Sequence, residues 1–377
     1  MKNRANLSAA RGFSLVELMI ALALGLFLTG VAVNIVVSNR QVFRTTENLS
    51  RMQENARSAF ELMARDIRAA GGNPCGTSIV VNVLNTPAGN WWSNWGAGSV
   101  IGYENGVAPA GYGTPAQTAP AFATIVPANN LTPNTDAILL FGGNALDGVT
   151  ITDHNPTSAQ FQVNTINHGI ATNDVVMACD YQSAAILQVT NSSPGVNNTI
   201  VHNTGTGVPG NCTKGLGSPL LCTANGTSKT FDDGGFIVRF YAIFWYVGTN
   251  ARGGNSLYRV SMNGTPTAIQ TDEIIDDICV QGQTLMPENR ACQGLQITYI
   301  TRNTTTSVVA ASGAAGIDWS VSTTAPKPVN ANEVVGVRLS LDLQSRETSG
   351  VNNANTAQRL TTNLSETIFL RNRDINQ

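Results

Sequence analysis

"RGFSLVELMIALALGLFLTGVAVNIVV", residues 11–37, decides the architecture of this 377-residue chain. From Phe13 to Asn39 there are 27 residues with one charge, Glu17. As a helix rising about 1.5 Å per residue, this run is about 40 Å long, enough to cross a hydrocarbon layer of roughly 30 Å. Lys2, Arg4 and Arg11 precede it, so its N-terminus is expected on the cytoplasmic side and the rest of the chain across the membrane. An isolated carboxylate in lipid costs on the order of 2.5–3.5 kcal/mol on insertion scales. Glu17 therefore needs a partner, unless it snorkels to the membrane surface.

The helical pattern continues past Arg40 in "VFRTTENLSRMQENARSAFELMARDIRAAGG", residues 42–72. Leu49, Met52, Ala56, Ala59, Phe60, Met63 and Ile67 recur at steps of three and four and mark one apolar face. Arg51, Glu54, Arg57, Glu61 and Arg65 lie mostly opposite, with Glu61 and Arg65 expected as an i,i+4 pair. No proline occurs before Pro74, and Gly71-Gly72 with Pro74 is a stop signal. The spacing predicts one helix from about Phe13 to Ala70, with Gly25, Gly30 and Asn34 as its weak points. Its first half suits lipid or a filament, and its second half suits packing on a domain.

Beyond Asn73 the signals are of β type. "GGFIVRFYAIFWYVG" alternates and is rich in aromatics, and "LQITYITRN", "VVGVRLSLDL" and "ETIFLRN" are short runs bounded by Gly, Asn and Pro. An antiparallel sheet would cover the apolar face of the helix. Residues 85–136, rich in Gly, Pro and Asn, read as a long surface excursion, and residues 191–230 as a second loop region. The six cysteines, with no CxxC pair, point to an oxidising compartment rather than a zinc site. Proximity pairs Cys212 with Cys222 and Cys279 with Cys292, leaving Cys75 with Cys179; this is one of fifteen possible connectivities.

Basic residues, then Gly12-Phe13-Ser14-Leu15-Val16-Glu17-Leu18, then an apolar run resemble the prepilin signature of type IV pilins and type II secretion pseudopilins. The order argues against an ordinary secretory signal peptide, whose cleavage site follows the apolar run. The resemblance implies that a membrane peptidase cuts between Gly12 and Phe13 and methylates the new amine of Phe13. It also implies that Glu17 pairs with that amine on a neighbouring subunit. Within this class, "QENARSAFELMARDIRAAGG" is similar to the segment after the membrane helix in PilW-type minor pilins. "TNDVVMACDYQSAAILQVTN", "SLYRVSMNG", "DEIIDDICVQ", "NEVVGVRLSLDLQSRE" and "TTNLSETIFLRNRD" resemble that family's middle and closing strands. Many major pilins carry proline where this chain has Asn34.

The expected fold class is α+β and pilin-like: a long N-terminal helix packed on an antiparallel sheet, with a large β-rich head containing long loops. The expected divisions are a leader over 1–12, a membrane or filament helix over 13–39, an amphipathic helix over 40–71 and a head over 72–377. The resemblance implies a role in type IV pilus assembly without catalysis, in an inner-membrane priming complex of minor pilins and with the head at or near the pilus tip. The partners would be other minor pilins, the major pilin, the prepilin peptidase and, before assembly, the bacterial inner membrane, with the C-terminus periplasmic.

Other chemistry is thinly supported. His154, His168 and His202 show no metal-ligand or catalytic spacing and are expected as polar loop residues. The acidic pairs Asp232-Asp233, Asp272-Glu273 and Asp276-Asp277 lack calcium-loop alternation and read as solvated edges. Trp91, Trp92 and Trp95 are expected to pin the long loop rather than to stack on sugars or bases. The formal charge is −2, and −5 without Lys2, Arg4 and Arg11, which gives no reason to bind nucleic acid. No metal or cofactor is expected. The rival functions are a J-like pseudopilin of type II secretion, which gene neighbourhood would discriminate, and a tip adhesin, which ligand binding by the head would reveal. A secreted enzyme is a third, for which no site is legible.

Overall fold

The computed structural model describes residues 14–70, 79–85, 90–95, 99–109, 119–126, 130–205, 207–231, 233–285, 289–303, 306, 309–317, 319, 332–351 and 357–370. Every structural statement below is made of these. The chain divides into two compact units, Met1–Arg51 with Ser345–Leu360, and Met52–Gln344 with Thr361–Gln377.

One helix, α1, runs unbroken over Leu15–Ala69. Gly25, Gly30 and Asn34 lie within it without interrupting it. Leu, Met, Ala, Glu and Arg dominate its sequence, and their helix propensity offsets the roughly 1 kcal/mol that each glycine costs. Up to Arg51 its apolar side chains are exposed, among them Leu15, Met19, Phe27 and Leu28.

From Met52 onward the helix belongs to the second unit and has a buried stripe. Met52, Ala56, Ala59, Phe60, Met63, Ala64 and Ile67 are all buried, and Ile67 is fully so. Burying Phe60, Met63 and Ile67 contributes about 1.5–3 kcal/mol each. Leu49, expected on this face, is 42% exposed. The surface ion pairs also differ from expectation. Arg57 Nε donates to Glu61 Oε1 at 3.0 Å, while Arg65 turns to Asp66, at 3.4 Å.

The strands are β1 (Val80–Asn82), β2 (Val100–Tyr103), β3 (Ala137–Asn155), β4 (Gln160–Val163), β5 (Val175–Cys179), β6 (Ala184–Gln188), β7 (Asn191–Ser192), β8 (Thr199–Val201) and β9 (Phe236–Thr249). They continue with β10 (Asn255–Asn263), β11 (Gln270–Ile275), β12 (Thr284–Leu285), β13 (Arg290–Ala291), β14 (Leu295–Asn303), β15 (Val309–Ser312), β16 (Asn332–Val351) and β17 (Ala357–Phe369). The large sheet runs β1-β6-β5-β9-β3-β4-β8-β7, with β10, β11 and β2 joined alongside. All its pairings are antiparallel except β1 with β6.

Strand β9 is its axis. One edge pairs with β3, and the other pairs first with β5 and then with β10. The sequence suggests one buried face, but β9 is buried almost throughout, on both faces, from Ile237 to Val247. A strand enclosed on both sides reads as a continuous apolar run.

A second sheet runs β15-β14-β16-β17, with buried pairs Leu295↔Leu341, Ile297↔Leu339 and Tyr299↔Val337. Leu370 N–H donates to Val335 O, Arg338 reaches Thr367 and Asn363 reaches Ser340, so β17 runs antiparallel to β16. Asp342 is the hub of this sheet. It accepts from Arg290 at 2.8 and 2.6 Å, from the Gln293 N–H at 2.8 Å and from Asn363 Nδ2 at 2.7 Å.

Where described, residues 85–136 are not a surface excursion. Every residue of β2 is buried. Trp91, Trp92 and Trp95 are buried too, with the Trp95 ring 6.2 Å from Phe141 and 5.9 Å from Phe240. The tryptophans thus pin the segment to the sheet. A Cβ on Gly102 of β2 would fall on the ring and hydroxyl of Tyr299, a side chain that is fully buried. Gly102→Ala is therefore expected to destabilise the head by about 1–3 kcal/mol, the usual range for overpacking. Urea unfolding checks this, and an unchanged midpoint would contradict it.

Cys212–Cys222 and Cys279–Cys292 are disulfides, closing separations of 10 and 13 residues. Cys179 is disulfide-bonded as well, and Cys75, its expected partner, lies outside the described residues.

Candidate functional site

The helix start carries a local device. Val16 N–H donates to Ser14 Oγ at 3.3 Å, and Ser14 N–H donates to Glu17 Oε2 at 3.0 Å. With Ser14 at the N-cap, its hydroxyl accepts from the second helical N–H. Glu17, three residues on, reaches back to the Ser14 N–H, so the two side chains cap the helix start reciprocally. This arrangement gives the Glu17 carboxylate a donor from its own backbone and the favourable end of the helix dipole. The carboxylate therefore meets the membrane partly satisfied rather than bare. Gly12 and Phe13 lie outside the described residues.

The surface that follows is one for lipid or for other helices. α1 is long and apolar enough to cross a membrane, and none of its most apolar 18-residue window is buried within the protein. Its hydroxyl at Thr29 donates back to Gly25 O and Leu26 O. A polar group satisfied within its own helix suits an apolar medium.

At the other end of α1 the helix is keyed to the head by a buried carboxylate. Asp66 Oδ2 accepts from Arg259 Nε of β10 at 2.7 Å and from Trp245 Nε1 of β9 at 3.2 Å. Its side chain is only 5% exposed. Asp66 falls on the stripe Ala59, Met63, Asp66, Ala70, and a charge on an apolar stripe is the signal in the sequence that marks it.

Several other titratable groups in the head are buried. His154 lies in β3 and His202 in the connection just after β8, and both are buried rather than solvated, with their Nε2 atoms 3.0 Å apart. Burial pushes His154 down to about 4, and burial with the neighbouring His154 pushes His202 down to about 3. His168 is buried too, its Nδ1 accepting from the Ile170 N–H at 3.1 Å. Burial raises Asp136 to about 6 although it accepts from the Asn105 and Ile297 N–H groups at 3.0 and 2.8 Å. These contacts join the start of β3 to β14.

Glu273 and Asp276 are ion-paired with Arg252. Asp232 lies outside the described residues. Among the described residues no group of three or more His, Cys, Asp or Glu is placed to hold a metal ion.

The comparisons with known proteins bear on the helix alone. No curated protein and no solved structure matches the chain. Residues 7–33 match the prokaryotic N-terminal methylation motif, a signal of the type IV pilin and pseudopilin class that indicates a structural protein rather than an enzyme.

Proposed function

We propose that this chain is a PilW-type minor pilin that takes part in the assembly of type IV pili. The observation that carries this reading is the continuity of three features: the methylation motif, an exposed apolar helix and a helix foot built into a β-rich head. Cleavage between Gly12 and Phe13 removes a leader over 1–12. Residues 13–39 then hold the protein in the inner membrane and later in the filament, residues 40–71 carry the foot, and the head over 72–377 is periplasmic. The Phe13 amine is methylated and pairs with Glu17 of a neighbouring subunit. Glycine at position 12 offers the peptidase a residue without a side chain.

Mass spectrometry of the mature protein should find an N-methylated Phe13 as the first residue. Gly12→Val should leave the leader attached. A mature chain beginning at Phe13 in that variant, or an intact Met1 in the wild type, would overturn the assignment.

A further inference from the structure

The buried histidine pair forms a hydrogen-bond chain whose tautomers follow from its partners. Phe231 N–H donates to His154 Nδ1 at 3.1 Å, so the His154 proton sits on Nε2. That N–H faces His202 Nε2 at 3.0 Å, so the His202 proton sits on Nδ1, which has no hydrogen-bond partner among the described residues. The two rings lie among Phe161, stacked on His154 at 4.1 Å, and Phe231 at 5.6 Å.

A third proton has one place to go. The space between the two Nε2 atoms holds one hydrogen, and His202 Nδ1 is already occupied. The proton must therefore go to His154 Nδ1, which then no longer accepts from the Phe231 N–H.

Phe231 ends the segment 213–231, whose first part is closed into a loop by the Cys212–Cys222 disulfide. Leu216 and Phe231 are its buried apolar side chains. Its side-chain polar ties to the rest of the head include Lys214 Nζ to Thr157 O at 2.9 Å, Lys229 Nζ to Asp180 Oδ2 at 2.6 Å and to Gln182 Oε1 at 2.8 Å, and Thr204 Oγ1 to Ala224 O at 3.0 Å. Lys229 and Lys214 are the cations acting on the histidines, Lys229 on His154 and Lys214 on His202, and both lie on the segment. The opposing anions are Asp153 beside His154 and Asp180 beneath Lys229. A new imidazolium thus breaks the Phe231 bond and repels both lysines of the same segment.

We propose that the His154–His202 pair is an acid-sensitive latch whose protonation releases residues 213–231 while the strands beneath stay folded. Opening frees each imidazole to its ordinary value of 6.5 from the depressed values of about 4 and about 3. Between pH 7.5 and 5.0 the opening equilibrium then rises by about 30-fold for each imidazole freed.

Hydrogen exchange on the full chain in detergent micelles, corrected for intrinsic rates, reads this directly. Protection over 213–231 should fall by at least about 30-fold between pH 7.5 and 5.0, with β9 unchanged. A change below about threefold, or an equal loss in β9, overturns the latch. His154→Gln keeps an acceptor for Phe231 but cannot gain a proton, so it should remove much of the pH response. Should that variant not fold, the wild-type profile alone decides.

Discussion

Replacing Asp66 with alanine is expected to lower the stability of the head by about 3–5 kcal/mol, the range for removing one partner of a buried ion pair. The substitution strands two donors of the head, while the third partner of Asp66, Arg65, is exposed and turns to water. Arg259, with its side chain 18% exposed, keeps its charge and loses its counter-ion. Trp245 Nε1, on a fully buried ring, loses its acceptor. The cost is that of leaving these groups unpaired in a poor solvent, not the net worth of the contact. Asp66→Leu combined with Arg259→Met should therefore recover much of the loss, because both charges leave together. Arg57→Ala sets the scale at the surface: its pair with Glu61 has side chains 83% and 68% exposed and should be worth under about 1 kcal/mol. Urea unfolding of the three variants in detergent checks the order. A loss under about 1 kcal/mol for Asp66→Ala would show that the apolar stripe alone sets the helix on the head.

The features legible in the sequence are those whose determinants are local. The stripe Met52, Ala56, Phe60, Met63 and Ile67 repeats with the helical period, and all five are buried. The cysteine pairs at separations of 10 and 13 residues are those that a short chain brings together most readily.

What escaped depends on distant partners. His154 and His202 are 48 residues apart and meet only because β3, β4 and β8 pair side by side. Residues 85–136 have the composition of a loop, yet Tyr103 and Trp95 are buried because β3, β9 and β14 supply their surroundings. Arg65 is drawn from Glu61 to Asp66 by a carboxylate in a desolvated site, where electrostatic attraction is less screened. Asp66 falls on the apolar stripe, but its partners Trp245 and Arg259 lie 179 and 193 residues away in sequence.

Glu17→Ala is expected to leave the protein in the membrane and the head folded, and to deplete it from the assembled filament. Insertion should be unchanged or slightly easier, since a carboxylate costing on the order of 2.5–3.5 kcal/mol is removed. The head should be unaffected, because the apolar stripe buried in it begins at Met52, far from Glu17 along the helix. In the proposed assembly Glu17 of one subunit receives the amine of Phe13 from another. Without it that amine is left unpaired in lipid, at a cost of about 3–5 kcal/mol, or roughly 150- to 5,000-fold in association. The reciprocal cap complicates the reading, since alanine also removes the acceptor for the Ser14 N–H. Ser14→Ala separates the two effects. It abolishes the bond from Val16 N–H to Ser14 Oγ, worth about 1 kcal/mol of helix-end stability, and leaves the charge in place. Recruitment should therefore fall sharply in Glu17→Ala and only slightly in Ser14→Ala. Membrane level, co-purification with other pilins and the number of surface pili measure this directly. If both variants assemble like the wild type, the carboxylate serves only to cap its own helix, and subunit pairing has to rest on the apolar faces alone.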